Sequence, residues 1–214
     1  MIAVMDNDVL YKGACYGLLS EILESLNPES KRIGVLGTAR FVVASRITRA
    51  NLAKDANSAL ENLGQFLVNS IVLDPTDTEQ RLAAEFEVAA QIRGLALDAG
   101  ESQLCAIVLE RAIPLLVTGD KRAIEGIERL LDDEPRLVEL GGKVRCLEQV
   151  ILVVLARGNP EAIWASICAE LAVDKALTFA FGCSQSELRL DSVLEGLASY
   201  INAVRAVAPR VLAN

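Results

Sequence analysis

The sequence predicts an α/β protein in which a short parallel sheet is covered by helices on both faces. Over residues 1–142, short apolar runs alternate with longer amphipathic segments, a pattern typical of parallel strands joined by helical crossovers. After Gly141-Gly142, apolar residues recur at helical spacing only. We therefore expect a three-layer α/β/α domain at 1–142. An all-helical extension at 143–214 should pack on this domain or on a second subunit.

Five short apolar runs are the candidate strands, and the third is short enough to be a helix end instead. They lie at 2–5, 32–36, 71–73, 114–118 and 136–140. Apolar residues at helical spacing predict the intervening helices at about 10–26, 38–47, 52–67, 76–94, 98–112 and 119–131. Further helices are expected at 146–156, from 159 onward and up to 207.

Several helix starts carry capping patterns. Thr76 with Glu79, Asp98 with Glu101, and Ser184 with Glu187 have the spacing of a capping box. Asn159 precedes Pro160, which is the usual order of an N-cap and a first helical residue.

Composition excludes several kinds of chemistry. The chain of 214 residues contains no histidine, which rules out a His-based triad, a His general base and a His-ligated metal. The five cysteines have neither zinc-ligand nor CxxC spacing, and most fall in apolar stretches, as small core residues do in a reducing cytoplasm. No uncharged run reaches the roughly 18 residues of a membrane span, and no signal-peptide pattern is present. We therefore expect a cytoplasmic protein without membrane contact.

Acidic residues stand at the ends of predicted elements in three places. Asp6 and Asp8 follow the first strand, Asp98 and Glu101 open a helix, and Asp120 follows the fourth strand. Such positions converge at one edge of a parallel sheet, where clustered carboxylates repel each other unless a cation holds them. The sequence therefore predicts a metal site and phosphoryl chemistry at that edge. Each acid also has an ordinary explanation as a helix cap.

Basic residues are concentrated in one stretch, although the formal net charge is -8. Lys31, Arg32, Arg40, Arg46, Arg49 and Lys54 lie there without an acidic residue between them. One interpretation is a solvated helix face. The other is a strip that contacts phosphate groups beside the acidic site.

Three segments resemble PIN domains, in the same order along the chain. The segment AVMDNDVL at 3–10 is similar to their first strand and its aspartate. The segment AGESQLCAI at 99–107 resembles their Gly-Glu motif on an alanine-rich helix, and LLVTGDKRA at 115–123 resembles their late strand and acidic turn. Order and spacing agree over about residues 1–140. The resemblance implies a PIN-like α/β fold and a metal-dependent endoribonuclease.

The resemblance also implies a set of site residues. The catalytic carboxylates would be Asp6, Glu101 and Asp120, which would bind Mg²⁺ or Mn²⁺ together with Asp98, while Asp8 would assist. Carboxylate oxygens suit these hard cations. RNA, single-stranded or structured, would be the substrate. Apart from the resemblance, the residues themselves suggest substrate contacts at Arg40, Arg46, Thr118 and Lys121, with Lys12 as a further phosphate contact. Thr118 could instead be a strand-end turn residue, and Lys12 and Lys121 could balance charge at the acidic edge.

Two other interpretations remain open. The stretch 38–48 lacks the acidic residue that many PIN domains carry there, which favours an inactive PIN-like binding protein. Its apolar extension would then contact a partner or form a homodimer. In addition, Asp6-Asn7-Asp8 and Val117-Thr118-Gly119 resemble the nucleophile loop and phosphate-binding threonine of haloacid-dehalogenase-like phosphatases, although Asp8 is not followed by their usual Gly-Thr or Gly-Val pair.

Overall fold

The computed structural model describes residues 3–26, 32–53 and 55–214. Within these residues, five strands form one parallel sheet in the order β3-β2-β1-β4-β5. The strands are β1 (Val4–Met5), β2 (Gly34–Leu36), β3 (Ile71–Leu73), β4 (Leu116–Thr118) and β5 (Val144–Cys146). The predicted α/β class, with a parallel sheet and flanking helices, is confirmed.

Helices connect the strands and follow the last one. They are α1 (Asn7–Tyr16), α2 (Leu19–Leu26), α3 (Ala39–Arg49), α4 (Ala56–Val68), α5 (Asp77–Ile92), α6 (Ala99–Glu110), α7 (Lys121–Leu130), α8 (Leu147–Arg157), α9 (Pro160–Cys168), α10 (Lys175–Ala180) and α11 (Leu190–Val207). The capping boxes of Thr76 with Glu79 and of Asp98 with Glu101 are both formed. Asn159 caps α9 as expected.

The sheet separates two hydrophobic cores, because successive side chains of a strand point to opposite faces. Met5 and Val117 pack on one face with α1–α4 and α8–α10. Val4 and Leu116 pack on the other with α5, α6 and α7. Helix α11 contributes to both cores. This arrangement is compatible with the predicted three layers.

The predicted helix at 10–26 is divided into α1 and α2 at Gly17. Gly17 has φ +72, in the left-handed region that glycine enters without the steric penalty of a side chain. Its N–H donates to Ala14 O at 3.1 Å, and the Leu18 N–H donates to Gly13 O at 2.8 Å, which closes the end of α1. The apolar spacing is continuous across this break, so periodicity alone did not reveal it.

The prediction of a strand at 136–140 is wrong. A 3-10 helix spans Pro135–Leu140, in which Leu137 and Leu140 are buried while Val138 is 58% exposed. A spacing of three residues is the period of a 3-10 helix, in which such side chains eclipse each other. The last strand of the sheet is β5, at Val144–Cys146. The region after 142 therefore contributes a strand as well as helices, and the division of the chain at 142 stays a prediction.

Residues 210–213 lie beside β5. Val144 N donates to Val211 O at 3.0 Å, and Ala213 N donates to Val144 O at 2.6 Å. The buried carboxylate of Glu128, on α7, accepts 3.0 Å hydrogen bonds from the backbone N–H groups of Arg210 and Val211. One carboxylate thus fixes this segment against the sheet.

The extension differs from expectation in two further respects. The Ser184–Glu187 capping box is wrong, because α11 begins at Leu190 after Arg189, which makes no side-chain capping bond. A disulfide joins Cys168 to Cys183, although the spacing of the cysteines gave no sign of it. Cys15, Cys105 and Cys146 are free and buried, as expected of small core residues.

Among the described residues, every helix is too short or too polar to cross a lipid bilayer.

Candidate functional site

The candidate site is a cavity at the carboxyl edge of the sheet, where β1 and β4 lie side by side. The chain leaves β1 toward β2 on one side and leaves β4 toward β5 on the other. Such a reversal of strand order opens a crevice outside the carboxyl ends of the two strands. Asp6 directly follows β1, and Gly119-Asp120 directly follow β4. The cavity has a volume of about 560 Å³.

Acidic side chains converge on this cavity as the sequence predicted. They are Asp6, Asp8, Asp98, Glu101, Asp120 and, from the extension, Asp174. The basic side chains at its walls are Lys12, Arg46, Arg122 and Lys175. The cavity is therefore lined by both signs of charge, with acids in excess.

Asp6 is held at the base of the cavity by hydrogen bonds from three groups. As N-cap of α1 it accepts from Asn7 N at 2.7 Å and from Asp8 N at 3.4 Å. The hydroxyl of Thr118 donates to its Oδ2 at 3.2 Å. Asp6 is only 7% exposed. Its burial, and secondarily the charge of Asp8, raise its pKa to about 6 despite these bonds.

Glu101 lies at the first turn of α6 and forms the capping box with Asp98. Its Oε2 accepts from Asp98 N at 2.9 Å, and its own N–H donates to Asp98 Oδ1 at 2.8 Å. Burial raises the pKa of Glu101 to about 8, and the negative charges of Asp98, Asp6 and Asp120 contribute to the increase. Glu101 therefore lies close enough to Asp6 and Asp120 for their charges to affect its ionisation.

Asp120 differs from Asp6 and Glu101 because a cation accompanies it. It caps α7 by accepting from Arg122 N at 2.8 Å and Ala123 N at 3.3 Å. The guanidinium of Arg122 donates to its Oδ2 at 3.2 Å. Burial alone would raise the pKa of Asp120, but the hydrogen bonds and charge of Arg122 lower it. Asp120 is thus the member of the set that most readily carries a negative charge.

Thr118 connects the two acidic turns. It is 2% exposed, and its hydroxyl accepts from Asp120 N at 3.2 Å while donating to Asp6. It was predicted to contact substrate, but the structure places it beneath the cavity surface. It fixes the relative positions of the β1 and β4 ends.

The Asp8 carboxylate forms ion pairs with two cations. Its Oδ2 lies 2.5 Å from Lys12 Nζ, and its Oδ1 accepts from Arg46 at 2.8 Å. Arg46 also lies over the Tyr11 ring, 3.8 Å from the ring centroid. Arg46 thus lines the cavity as predicted, and Asp8 orients cations at the cavity wall.

Two predicted substrate-binding residues have other contacts. Lys121 forms an ion pair of 2.5 Å with buried Glu148 and lies over the Tyr200 ring, so its charge is engaged with the extension. Arg40 lies over the ring of Phe41 on the surface of α3. Neither is found among the residues that line the cavity.

The predicted basic strip does not act as one surface. Arg46 reaches the cavity, whereas Arg49 donates to Ser45 O of its own helix. Lys31 and Lys54 lie outside the described residues. Among the four members of the strip that the structure describes, Arg46 is the one that lines the cavity.

Arg122, Asp174 and Lys175 line the cavity but were not predicted as site residues. Arg122 lies in the segment 115–123 that resembles PIN domains, but the resemblance assigns it no role. Asp174 precedes an apolar helix and caps α10 by accepting from Leu177 N at 2.9 Å, which is a readable local pattern. Nothing in that pattern indicates that the extension folds back to residue 12.

The carboxylates do not form a ready-made metal site. Across residues 3–26, 32–53 and 55–214, no group of three or more acidic or cysteine side chains has the arrangement that holds a metal ion. The site is thus an acidic cavity whose carboxylates interact through their charges rather than through a shared ligand sphere.

Comparisons with known proteins found no relative of this chain. The chain matches no protein-family model, no characterised protein and no solved structure, so the geometry of the cavity is what bears on its function.

Proposed function

We propose that this protein is a metal-dependent endoribonuclease with a PIN-like set of carboxylates. The observation that carries the proposal is the convergence of Asp6, Glu101 and Asp120 on one cavity where β1 and β4 end. The resemblance of segments 3–10, 99–107 and 115–123 to PIN domains supports the same three residues.

The donor set fits a hard divalent cation. Asp6, Glu101 and Asp120 offer carboxylate oxygens, which Mg²⁺ and Mn²⁺ prefer. The pKa of Glu101 is raised in part by the charges of Asp98, Asp6 and Asp120, so a cation bound among these side chains would lower that pKa and favour the ionised carboxylate. Since no ready-made ligand group exists among the described residues, the proposal requires the ion to draw the carboxylates together. When bound, the ion would activate a water molecule and stabilise charge on the phosphate.

The remaining residues of the cavity would serve binding and orientation. Thr118 holds the Asp6 carboxylate and the Asp120 backbone in a fixed relation. Lys12 and Arg46 supply positive charge at the wall, where a phosphodiester would be attracted. The side chain of Arg122 is 80% exposed, and its positive charge partly offsets the charge of Asp120 at the mouth of the cavity.

The proposal is tested by cleavage of a labelled single-stranded RNA with Mn²⁺, with Mg²⁺ or with a chelator. We expect cleavage with either metal and none with the chelator. Asp6→Asn and Asp120→Asn should each abolish it while the protein stays folded. Asp55→Asn is the matched control, because Asp55 caps α4 in the same way but lies outside the cavity. Full activity in both cavity variants would refute the proposal.

A second candidate is a PIN-like binding protein without catalytic activity. One observation favours it: α3 carries Arg40 and Arg46 but no acidic residue. Calorimetry with Mn²⁺ separates the two, since a nuclease must bind the ion and the inactive protein need not. Turnover of an aryl phosphate would instead support the phosphatase alternative.

A further inference from the structure

Lys12 is a buried cation within the cavity, held by two carboxylates. Its side chain is 10% exposed, and its Nζ lies 2.5 Å from Asp8 Oδ2 and 2.5 Å from Asp174 Oδ2. Asp8 belongs to the same helix, whereas Asp174 comes from the extension. The extension therefore contributes directly to how this ammonium group is placed.

Lys12 lies next to the acidic turn after β4. A Cβ added to Gly119 would stand 3.3 Å from Lys12 Nζ and would overlap with Asp8 Oδ2. The turn can approach the Asp8 carboxylate that holds this ammonium group only because residue 119 has no side chain. Asp120 follows directly in sequence, so Lys12 is adjacent to the predicted catalytic residues.

Lys12 has donor capacity left for a ligand. An ammonium group carries three N–H donors, and the contacts with Asp8 and Asp174 account for two of them. The side chains of Arg46 and Arg122 are 45% and 80% exposed, so water screens their charges more than that of Lys12. Lys12 is therefore the least screened of these three cations. Because Asp8 and Asp174 offset its charge, what it offers a phosphate oxygen is its remaining N–H donor.

Asp174 is itself well fixed. Its carboxylate is 10% exposed and accepts from Leu177 N at 2.9 Å, as N-cap of α10. Without this carboxylate, Lys12 would keep Asp8 alone as its anionic partner in the described contacts. Asp8 is shared with Arg46, so the position of Lys12 would be less strictly defined.

We propose that Lys12 binds a phosphate group of a single-stranded polynucleotide, and that Asp174 of the extension is a positioning residue that holds Lys12 for this contact. This inference rests on the proposed function, because it takes the polynucleotide as the ligand. It makes residues outside the PIN-like segments part of substrate binding.

The experiment measures binding of a short fluorescein-labelled single-stranded RNA by anisotropy, in Mg²⁺, on the Asp6→Asn background that leaves RNA uncut. Lys12→Met should weaken binding about tenfold and reduce the slope of log K against log salt by about 0.7, the loss of one phosphate contact to a single strand. Lys12→Arg should retain the slope. Lys143→Met, outside the cavity, is the matched control and should change neither quantity.

The positioning role of Asp174 is tested by combining its substitution with that of Lys12. Asp174→Asn keeps a capping side chain but removes the charge, and it should weaken binding about threefold with an unchanged salt slope. Combined with Lys12→Met, it should have no further effect, because a residue that acts through Lys12 has nothing left to position. A purely structural role would instead give additive losses.

The outcomes separate this inference from the proposed function. Unchanged affinity and slope in Lys12→Met, or no RNA binding by the parent protein, would overturn the inference. Additive losses in the double variant would overturn the role of Asp174. If Lys12→Met does not fold by circular dichroism, unchanged binding in Asp174→Asn decides against the inference, and weakened binding with an unchanged slope supports it. RNA binding that depends on Lys12 without metal-dependent cleavage by the wild-type protein would sustain the inference and refute the nuclease.

Discussion

Replacing Asp6 by Asn should make the metal-free protein more stable at pH 8 while abolishing cleavage. The pKa of Asp6 is raised to about 6, mainly by burial and then by the charge of Asp8. Because the folded-state pKa of this acid exceeds its unfolded value, ionisation destabilises the fold. The destabilisation is complete above the folded-state pKa and disappears below the unfolded value of 3.8. An uncharged side chain avoids it at every pH.

The size of the effect follows from the site. A rise from 3.8 to about 6 corresponds to about 3 kcal/mol at pH 8. Asn is as good an N-cap as Asp and keeps the 2.7 Å bond from Asn7 N. Its amide cannot accept the bonds that Oδ2 takes from Asp8 N and Thr118, which removes about 1 to 2 kcal/mol. The expected net gain is about 1 to 2 kcal/mol at pH 8, and no gain at pH 4.

The free energy of unfolding is measured by urea denaturation in a chelator, at pH 8 and at pH 4. Asp55→Asn, at the cap of α4, is the control and should track the wild-type protein at both values. Adding Mn²⁺ at pH 8 should reverse the order of stability, because an ion that binds only the folded wild-type protein stabilises it by mass action. An Asp6→Asn variant that is no more stable than wild type at pH 8, or equally favoured at both pH values, would refute the argument.

Three further predictions concern other parts of the structure. Glu128→Ala should lower the free energy of unfolding by about 2 to 4 kcal/mol, because it leaves the backbone N–H groups of Arg210 and Val211 without their acceptor, whereas the Arg210 guanidinium keeps Asp132; a urea-unfolding loss below about 1 kcal/mol would contradict this. The pKa of Glu79 is lowered, mainly by hydrogen bonds from Arg111, so its stabilisation is present above the unfolded pKa and is lost as pH falls through the folded value. Glu79→Gln should accordingly be less stable than wild type at pH 7 and equal to it in acid, and a gap that persists in acid would refute the linkage. Gly119→Ala should reduce RNA affinity, since a Cβ would overlap with Asp8 Oδ2 and displace it from Lys12; unchanged affinity by anisotropy would count against that contact.

Local sequence patterns predicted most elements, because the determinants are themselves local. The Asp98–Glu101 capping box places both a helix start and a site residue. The prediction of a strand at 136–140 was wrong because Leu137 and Leu140 are apolar at a spacing that also suits a 3-10 helix. Strand β5 is as short as the strands that were predicted, but Arg145 lies at its centre, so it does not form an apolar run.

The site was predictable to the extent that topology determined it. Asp6 and Asp120 follow neighbouring parallel strands, so their convergence follows from the fold class. The pairs Lys12–Asp174 and Lys121–Glu148 join distant parts of the chain, and no spacing rule connects their members. Lys12 and Arg46 were candidate site residues from the sequence, but the pairing of Lys12 with Asp174 emerged only from the tertiary structure.

The disulfide between Cys168 and Cys183 links the two ends of the segment that carries Asp174. A covalent link of this kind stabilises a protein mainly by restricting its unfolded chain. Opening it with a thiol reductant should therefore lower the free energy of unfolding, while the Asp174–Lys12 ion pair and buried Leu177 still hold the segment against the cavity in the folded protein. Free energies of unfolding measured with and without a reductant thus refer to two different covalent states of the chain.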